Sequence, residues 1–321
     1  GHPIRAISGG EAAPWIVVGV IAAMVLFYRR LLAWIRTRID ARDTPEKDDN
    51  TTPQQRNSSF SEVELERYAR HIVLREIGGP GQKALKNARV LVVGAGGLGA
   101  PAILYLAAAG VGRIGIIDDD VVDHTNLQRQ IIHADQSTGI PKVFSASEAA
   151  VAMNPYIDAR PYNRRLTRDN ATALVEEYDI ILDGSDNFET RYLVNQVAVA
   201  LGKPLISGAL SQWEGQLSVF DTDRDTPCYQ CVFPEPPRDG LAPSCAEAGV
   251  LGPLPGVLGS MMAVEAVKLI TGAGTALRGE MLIYDALHGE SRKIAIEKRK
   301  DCPVCGTSQK RFNKTEPVKQ I

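Results

Sequence analysis

Short apolar runs alternate with longer amphipathic segments along most of the chain. Three runs, Arg89–Val93, Ile114–Ile117 and Asp179–Asp183, are rich in valine, isoleucine and leucine, and none shows a polar alternation. Runs of this kind are typical of parallel strands that are covered on both faces. Because helical segments separate them, the pattern predicts an α/β doubly wound sheet.

The pattern changes in the second half of the chain. A strand is predicted at Pro204–Ala209, and Gln216–Phe220 is expected to begin an antiparallel section that continues around Met281–Tyr284 and Arg292–Glu297. A long helix that is apolar on one side is predicted over Val257–Ile270. The fold class is therefore a Rossmann-like, mainly parallel sheet that is extended by antiparallel strands.

A glycine-rich turn follows the first strand. Gly94, Gly96 and Gly99 have the G-x-G-x-x-G spacing, and a helix is predicted from about Ala100 to Ala109. Glycine at these positions allows a tight turn and a close approach of the backbone to a phosphate. Asp118 ends the second strand, where a carboxylate can accept hydrogen bonds from ribose hydroxyls. These residues predict a nucleotide site, for which NAD and FAD are the usual ligands.

Charged residues beyond the glycine turn favour ATP over a dinucleotide. Arg129 and Lys142 supply two cations, which suit the charge of a triphosphate. Asp186 follows a strand at the sheet edge where ligands bind, and its carboxylate is suited to Mg²⁺. Taken singly, each of these residues is better explained as part of a surface ion pair, and only together with the glycine turn do they favour ATP.

Four of the five cysteines form two CxxC pairs, Cys228/Cys231 and Cys302/Cys305. Four thiolates suit a closed tetrahedral Zn²⁺ site, which the fold must assemble because the pairs are far apart in sequence. A redox role is the alternative for such pairs. Cys245 is left over in a glycine-bearing loop, where it is either an incidental small residue or a nucleophile.

An apolar run over residues 14–36 has tryptophans near its ends, and arginines follow it. A cleaved signal peptide would need more basic charge before the run, and a buried soluble helix would need a partner segment. We therefore favour a single-pass transmembrane anchor. Arginines on its C-terminal side predict an inner, cytoplasmic membrane protein whose catalytic domain lies in the cytoplasm.

Composition divides the chain into five parts. Residues 1–13 form an N-terminal tail, 14–36 the anchor, 37–60 a flexible linker, 61–306 the folded domain and 307–321 a tail that is expected to be disordered. The formal net charge is −2, and no aromatic residues interleave with the basic ones. No nucleic-acid partner is therefore expected.

A series of motifs occurs in order within residues 61–306. The motifs are Arg67-Tyr68-Ala69-Arg70, Gly94-Ala95-Gly96-Gly97-Leu98-Gly99, Asn126-Leu127-Gln128-Arg129-Gln130, Asp183-Gly184-Ser185-Asp186-Asn187, Glu214-Gly215-Gln216, Cys245-Ala246-Glu247-Ala248-Gly249-Val250 and both CxxC pairs. In these motifs the domain resembles the MoeB/ThiF/HesA family, the bacterial relatives of ubiquitin-activating enzymes.

The resemblance implies a reaction and its partners. It implies ATP-dependent adenylylation of the C-terminal Gly-Gly carboxylate of a ubiquitin-like sulfur carrier of the MoaD or ThiS type. Thiocarboxylate formation would follow, for molybdopterin, thiamine or related sulfur-transfer biosynthesis. It also implies Mg²⁺ and a homodimer. Because no rhodanese domain follows Gly306, a separate sulfur donor is expected, either a cysteine desulfurase or a rhodanese.

The resemblance also carries roles onto matching residues. The resemblance implies that ATP contacts the glycine turn, including Gly97. It also implies contacts with Asp118 and with the motif that contains Leu127 and Gln128. Phosphate contacts are implied for Asn126, Arg129 and Lys142, and the Mg²⁺ contact for Asp186, with Asn187 beside it. Arg70 is expected to reach the active site of the other protomer. Cys245 matches a thiol that ThiF-like members use in a carrier linkage and that MoeB-like members do not need.

Two other functions stay open. One is a tRNA-modifying, ATP-dependent dehydratase of the same superfamily, against which the paired CxxC set and Cys245 argue. The other is a non-catalytic membrane adaptor for carrier proteins, against which the intact charged residues argue.

Overall fold

The computed structural model describes residues 59–236 and 248–306, together with Met24 and Arg30, which are helical. The chain separates into two compact units, Gly1–Asn57 and Ser58–Ile321. The predicted anchor, nearly all of the linker, Cys245 and the C-terminal tail lie outside the described residues. Expectations for those segments therefore stay predictions.

Eight α-helices and eight strands have bounds within the described residues, besides three short 3₁₀ helices. In chain order they are α1 (Glu62–Ile72), α2 (Gly78–Asn87), β1 (Arg89–Val93), α3 (Gly99–Ala109), β2 (Arg113–Asp118), α4 (Lys142–Met153), β3 (Asp158–Asn163), α5 (Arg168–Glu176), β4 (Ile180–Asp183), α6 (Phe188–Leu201), β5 (Leu205–Leu210), β6 (Glu214–Phe220), α7 (Tyr229–Val232), α8 (Pro253–Thr271), β7 (Glu280–Asp285) and β8 (Glu290–Ala295).

The strands form one sheet in the order β3-β2-β1-β4-β5-β6-β7-β8. The first five strands in that order are parallel, and β6, β7 and β8 are antiparallel. The predicted α/β fold with a mixed sheet is therefore confirmed. The order reverses between β1 and β4, where Val93 pairs with Asp183. Open α/β sheets bind their ligands at such a reversal, outside the carboxyl ends of the strands.

Apolar side chains of β1 alternate between two cores. Val90 and Val92 pack on one face of the sheet with residues of α3, α4 and α8, whereas Leu91 and Val93 pack on the other face with residues of α5 and α6. Successive strand side chains point to opposite faces, so both faces of β1 are covered. This double burial explains why the strand has no polar alternation.

Among the described helices, only α8 is long and apolar enough to cross a bilayer. It is nevertheless part of the core, because Leu254, Leu258, Met262 and Ala266 recur every four residues and are all buried. Its buried Glu265 accepts a hydrogen bond from the Leu277 backbone N at 2.9 Å. We therefore assign α8 to the packing of the globular domain.

Candidate nucleotide site and metal centre

The turn between β1 and α3 passes very close to its neighbours. Gly94 has a φ of +92°, and a Cβ there would lie 3.1 Å from the Gly184 carbonyl oxygen of the loop after β4. A Cβ on Gly99 would lie 1.9 Å from the Gly94 carbonyl oxygen. The backbone amides of Gly96 and Gly97 donate no hydrogen bond within the described residues. They precede an 11-residue helix, so the turn is suited to bind an anion.

Gly99→Ala is expected to destabilise the domain and to prevent MgATP binding. The overlap with the Gly94 carbonyl can be relieved only by moving the turn, which we expect to cost about 2–3 kcal/mol of unfolding free energy. Urea unfolding and titration calorimetry with MgATP measure both effects. The matched control is Gly256→Ala, where the new Cβ has no atom within 4 Å apart from its chain neighbours and the nearby backbone of its own helix. A Gly99→Ala variant as stable as this control would contradict the prediction.

Asp118 is held where β2 ends. Its Oδ2 accepts a hydrogen bond from the Ala95 backbone N and its Oδ1 from the Asp120 backbone N, both at 2.8 Å. Burial raises the pKa of Asp118, and these hydrogen bonds and the nearby Lys142 ammonium oppose that rise. Each carboxylate oxygen can accept a further hydrogen bond, so ribose hydroxyls remain acceptable partners.

Lys142 begins α4 beside the same strand end. Its side chain is buried, and its Nζ donates to Asp120 Oδ2 at 2.8 Å. Its backbone N donates to the Asp120 carbonyl oxygen at 2.9 Å. The fold therefore keeps an ammonium group near Asp118, and the phosphate contact of Lys142 stays a prediction.

The segment that contains the Asn-Leu-Gln-Arg-Gln motif flanks the glycine turn. Arg129 Nη2 donates to Asn126 Oδ1 at 2.6 Å, and Arg129 Cγ lies 3.8 Å from the position of a Cβ on Gly97. Leu127 closes the 3₁₀ turn of this segment, and a Cβ on Gly252 would lie 2.7 Å from two oxygens of Gln128. The structure thus brings this motif to the glycine turn.

A buried ion pair fixes the loop after β4. Asp183 Oδ1 accepts hydrogen bonds from the Ser185 backbone N at 3.0 Å and from Ser185 Oγ at 2.6 Å. Arg191 lies 3.6 Å from Asp183 Oδ2 and donates to the Ser185 carbonyl oxygen. Both charged side chains are buried. The motif pointed to Asp183, but sequence reasoning missed the role of Arg191.

Asp186 and Asn187 follow this fixed segment. Asp186 is exposed, and it has no hydrogen bond or ion pair with the described residues. Asn187 caps α6, because its Oδ1 accepts a hydrogen bond from the Thr190 backbone N at 2.8 Å. The Asp186 carboxylate, which follows the carboxyl end of β4, therefore has all its lone pairs available for a cation such as Mg²⁺.

Arg70 lies away from the glycine turn and the residues around it. It is exposed near the end of α1, two residues after Tyr68. The Tyr68 ring packs so closely under Gly110 that a Cβ there would lie 2.5 Å from Tyr68 Cζ. Gly110 ends α3 at the opposite end from the glycine turn, and a helix of 11 residues is about 16 Å long. The expected reach of Arg70 into a second protomer stays a prediction.

His133 joins the site and was not predicted from the sequence. Its Nε2 lies 3.0 Å from the Ala95 carbonyl oxygen, and its Nδ1 lies 2.9 Å from Ser145 Oγ on α4. Burial lowers the pKa of His133, and the nearby Lys142 ammonium lowers it further, although the bond to Ala95 opposes the shift. No nearby motif marks this histidine, because its role depends on contacts that only the fold creates.

The lowered pKa of His133 predicts a pH dependence of stability. The unfolded chain protonates this side chain near pH 6.5, while the folded chain protonates it only at a lower pH, so unfolding takes up protons in this range. The free energy of unfolding is therefore expected to fall below about pH 6.5, with a slope of at most about 1.4 kcal/mol per pH unit from this residue. Urea unfolding at several pH values should show a flatter dependence for His133→Gln, and equal slopes would contradict the prediction.

Both CxxC pairs converge in the structure. The Sγ–Sγ distances are 3.9 Å for Cys228–Cys231, 3.6 Å for Cys228–Cys302 and 3.3 Å for Cys231–Cys305. A disulfide needs about 2.0 Å, so these are four free thiols. Zinc–sulfur bonds of about 2.3 Å in a tetrahedron place the sulfurs about 3.8 Å apart. The cluster therefore fits Zn²⁺.

The surroundings of the cysteines also suit a metal. A hydrogen bond from Cys228 lowers the pKa of Cys305 to about 5, and the same contact, together with burial, raises the pKa of Cys228. Without a cation, ionisation of Cys305 therefore disfavours ionisation of Cys228. The Arg299 backbone N donates to Cys231 Sγ at 3.4 Å, and Asn195 Nδ2 donates to Cys228 Sγ at 3.7 Å. Such outer hydrogen bonds orient metal-binding thiolates.

Comparison with known proteins decides the family. A family model described as the ThiF family matches residues 68–304. The chain belongs to the ThiF family. This result confirms the resemblance that the motifs carried.

Two relatives of this ThiF-family chain are informative. It is 48% identical over 251 residues to the sulfur carrier protein adenylyltransferase of Thermus thermophilus, covering 77% of this chain and 93% of that protein. It is 53% identical over 249 residues to the probable adenylyltransferase/sulfurtransferase MoeZ of Mycobacterium tuberculosis, covering 77% of this chain and 64% of MoeZ. Among solved structures, E. coli MccB with MccA-N7isoASN has a TM-score of 0.67. That match is 22% identical over 75% of this chain and 74% of MccB, so it supports the fold alone.

Proposed function

We propose that this protein uses MgATP to adenylylate the C-terminal Gly-Gly carboxylate of a ubiquitin-like sulfur carrier. The 48% identity to a sulfur carrier protein adenylyltransferase, over nearly the whole of that relative, carries the proposal. The crevice at the β1–β4 reversal supports it, because the anion-binding turn, Asp118, Arg129 and Lys142 are adjacent there. The product would be a carrier acyl-adenylate, and pyrophosphate would leave.

Residues of this chain would bind and orient the nucleotide. In the proposal, Asp118 accepts hydrogen bonds from the ribose, and the amides of Gly96 and Gly97 donate to phosphate oxygens. Arg129 and Lys142 offset the charge that grows on the leaving pyrophosphate. Asp186 would hold Mg²⁺, which supplies further charge neutralisation at the phosphates. The attacking oxygen belongs to the carrier carboxylate, which displaces pyrophosphate from the α-phosphate.

Exchange of labelled pyrophosphate into ATP tests this function. We expect exchange with a carrier that ends in Gly-Gly and none with the same carrier lacking those two residues. Exchange that depends on tRNA would favour the dehydratase alternative. If neither the carrier nor tRNA supports exchange, the non-catalytic adaptor would be favoured. Binding of NAD without binding of MgATP would contradict the nucleotide assignment.

A structural zinc ion is part of the proposal. All four thiolates of Cys228, Cys231, Cys302 and Cys305 would be ligands, which leaves no open position for metal catalysis. The ion would hold the segment after β6 to the segment after β8. A redox role is less compatible, since the sulfurs are spaced as metal ligands are.

A homodimer and a separate sulfur donor complete the proposal. Arg70 is exposed away from its own crevice, which is compatible with a role at the crevice of a second protomer. The donor would be a cysteine desulfurase or a rhodanese. The anchor over residues 14–36 would hold the domain at the cytoplasmic face of the membrane, and extraction of membranes at alkaline pH tests this placement.

Two roles for Cys245 stay open within the proposal. In the first, its thiol forms a sulfur linkage with the carrier, and in the second it is not needed. A Cys245→Ala enzyme that forms carrier thiocarboxylate at the normal rate would remove this thiol from the mechanism.

A further inference from the structure

Hydrogen bonds hold both the backbone N–H and the carbonyl oxygen of Ala95. The Ala95 backbone N donates to Asp118 Oδ2 at 2.8 Å, and the Ala95 carbonyl oxygen lies 3.0 Å from His133 Nε2. In a trans peptide the carbonyl and the following N–H point in opposite directions. A carbonyl that is held toward the buried His133 therefore turns the N–H of Gly96 away from it, on the side where a phosphate would lie.

The hydrogen-bond partners fix the tautomer of His133. A carbonyl oxygen can only accept, so Nε2 must carry the proton that bonds to Ala95. In the neutral imidazole Nδ1 is then an acceptor, and the Ser145 hydroxyl donates to it across 2.9 Å. Because His133 is 7% exposed and Ser145 is 6% exposed, water does not compete for these bonds.

The second bond of His133 reaches the helix that carries Lys142. Ser145 lies three residues after Lys142 on α4, so the two side chains share one side of the helix. One imidazole therefore connects the anion-binding turn to the helix that supplies the phosphate-binding ammonium. The glycine turn and α4 are far apart in sequence.

We infer that His133 is a positioning residue for the nucleotide phosphates: its Nε2–H orients the Ala95–Gly96 peptide, and its Nδ1 ties that peptide to α4. This inference rests on the proposed function, since it assumes that the turn binds ATP. It assigns no direct contact between His133 and the substrate. Two properties can be tested: the orientation of the Ala95–Gly96 peptide and the tautomer of His133.

Two substitutions separate positioning from simple space filling. A glutamine amide reaches as far as Nε2 does and can still donate to the Ala95 carbonyl, whereas an asparagine amide reaches only as far as Nδ1. We expect calorimetry on the full chain to show an MgATP Kd raised about 10-fold for His133→Asn and less than about 3-fold for His133→Gln. Equal affinities for the two variants would overturn the inference.

The tautomer gives a second readout that needs no variant. In ¹⁵N-histidine-labelled protein, we expect the His133 resonances to show protonated Nε2 and unprotonated Nδ1 near neutral pH. A proton on Nδ1 would overturn the inference even if His133→Asn failed to fold. Wild-type protein that binds no MgATP would instead overturn the proposed function and this inference together.

Discussion

Asp186→Ala is expected to abolish carrier-dependent pyrophosphate exchange. Asp186 is exposed after β4 with no partner among the described residues, so its carboxylate serves no structural bond. Removing an electrostatic contact that acts on a charged transition state typically costs about 10²–10³ in rate. We expect an exchange rate at least about 10²-fold lower, with an unchanged zinc content and an unchanged melting temperature.

Asp169→Ala is a matched control for this variant. Asp169 is also exposed, and it also has no hydrogen bond or ion pair with the described residues. The same substitution there should leave exchange within about 3-fold of wild type, as surface substitutions away from a site usually do. An Asp186→Ala enzyme that behaves like this control would disprove the Mg²⁺ assignment.

Cys302→Ser is expected to remove the zinc ion and to destabilise the domain. Cys302 is buried, and its sulfur lies 3.6 Å from that of Cys228. A structural zinc site contributes directly to folding, so losing one of four ligands should lower the melting temperature by about 10 °C or more. Metal analysis of the purified protein and thermal unfolding measure the two effects.

Cys245→Ser is the control for the zinc prediction. It makes the same chemical change at the one cysteine outside the two CxxC pairs. Its zinc content and melting temperature should match those of wild type. If Cys302→Ser also retains a full equivalent of zinc, the four-cysteine site is wrong.

The centre of the sheet was the most predictable part of the fold. The helix predicted from about Ala100 is α3, which begins one residue earlier, at Gly99. Fully buried parallel strands have continuous apolar sequences, and a glycine turn has a fixed spacing, so both signals are local. The reversal of strand direction after β5 was also expected, and β6 indeed pairs antiparallel with β5.

Strand β3 was missed for a physical reason. Its sequence is Asp158-Ala159-Arg160-Pro161-Tyr162-Asn163, and it lies at the edge of the sheet with no fully buried residue. An edge strand tolerates proline and polar residues, because one side of it makes no ladder hydrogen bonds. It therefore lacks the apolar run by which the other parallel strands were found.

The site was predictable only where residues belong to local motifs. The glycine turn, Asp118 and the cysteine pairs have characteristic spacings. His133 has none, because its partner Ala95 lies 38 residues away and meets it only in the folded chain. Arg191 lies outside the motif that contains its partners Asp183 and Ser185, so the motif does not mark it. Residues that orient a site through another residue are therefore the part that sequence patterns leave out.

The two cysteine pairs enclose a long stretch of chain, since Cys228 and Cys302 are 74 residues apart. A metal bridge there would restrain α8, β7 and β8 together as one loop, whereas β1, β2 and β4 lie outside it. Chelation should then let amide hydrogens in the enclosed segment exchange with solvent sooner than those of the central strands.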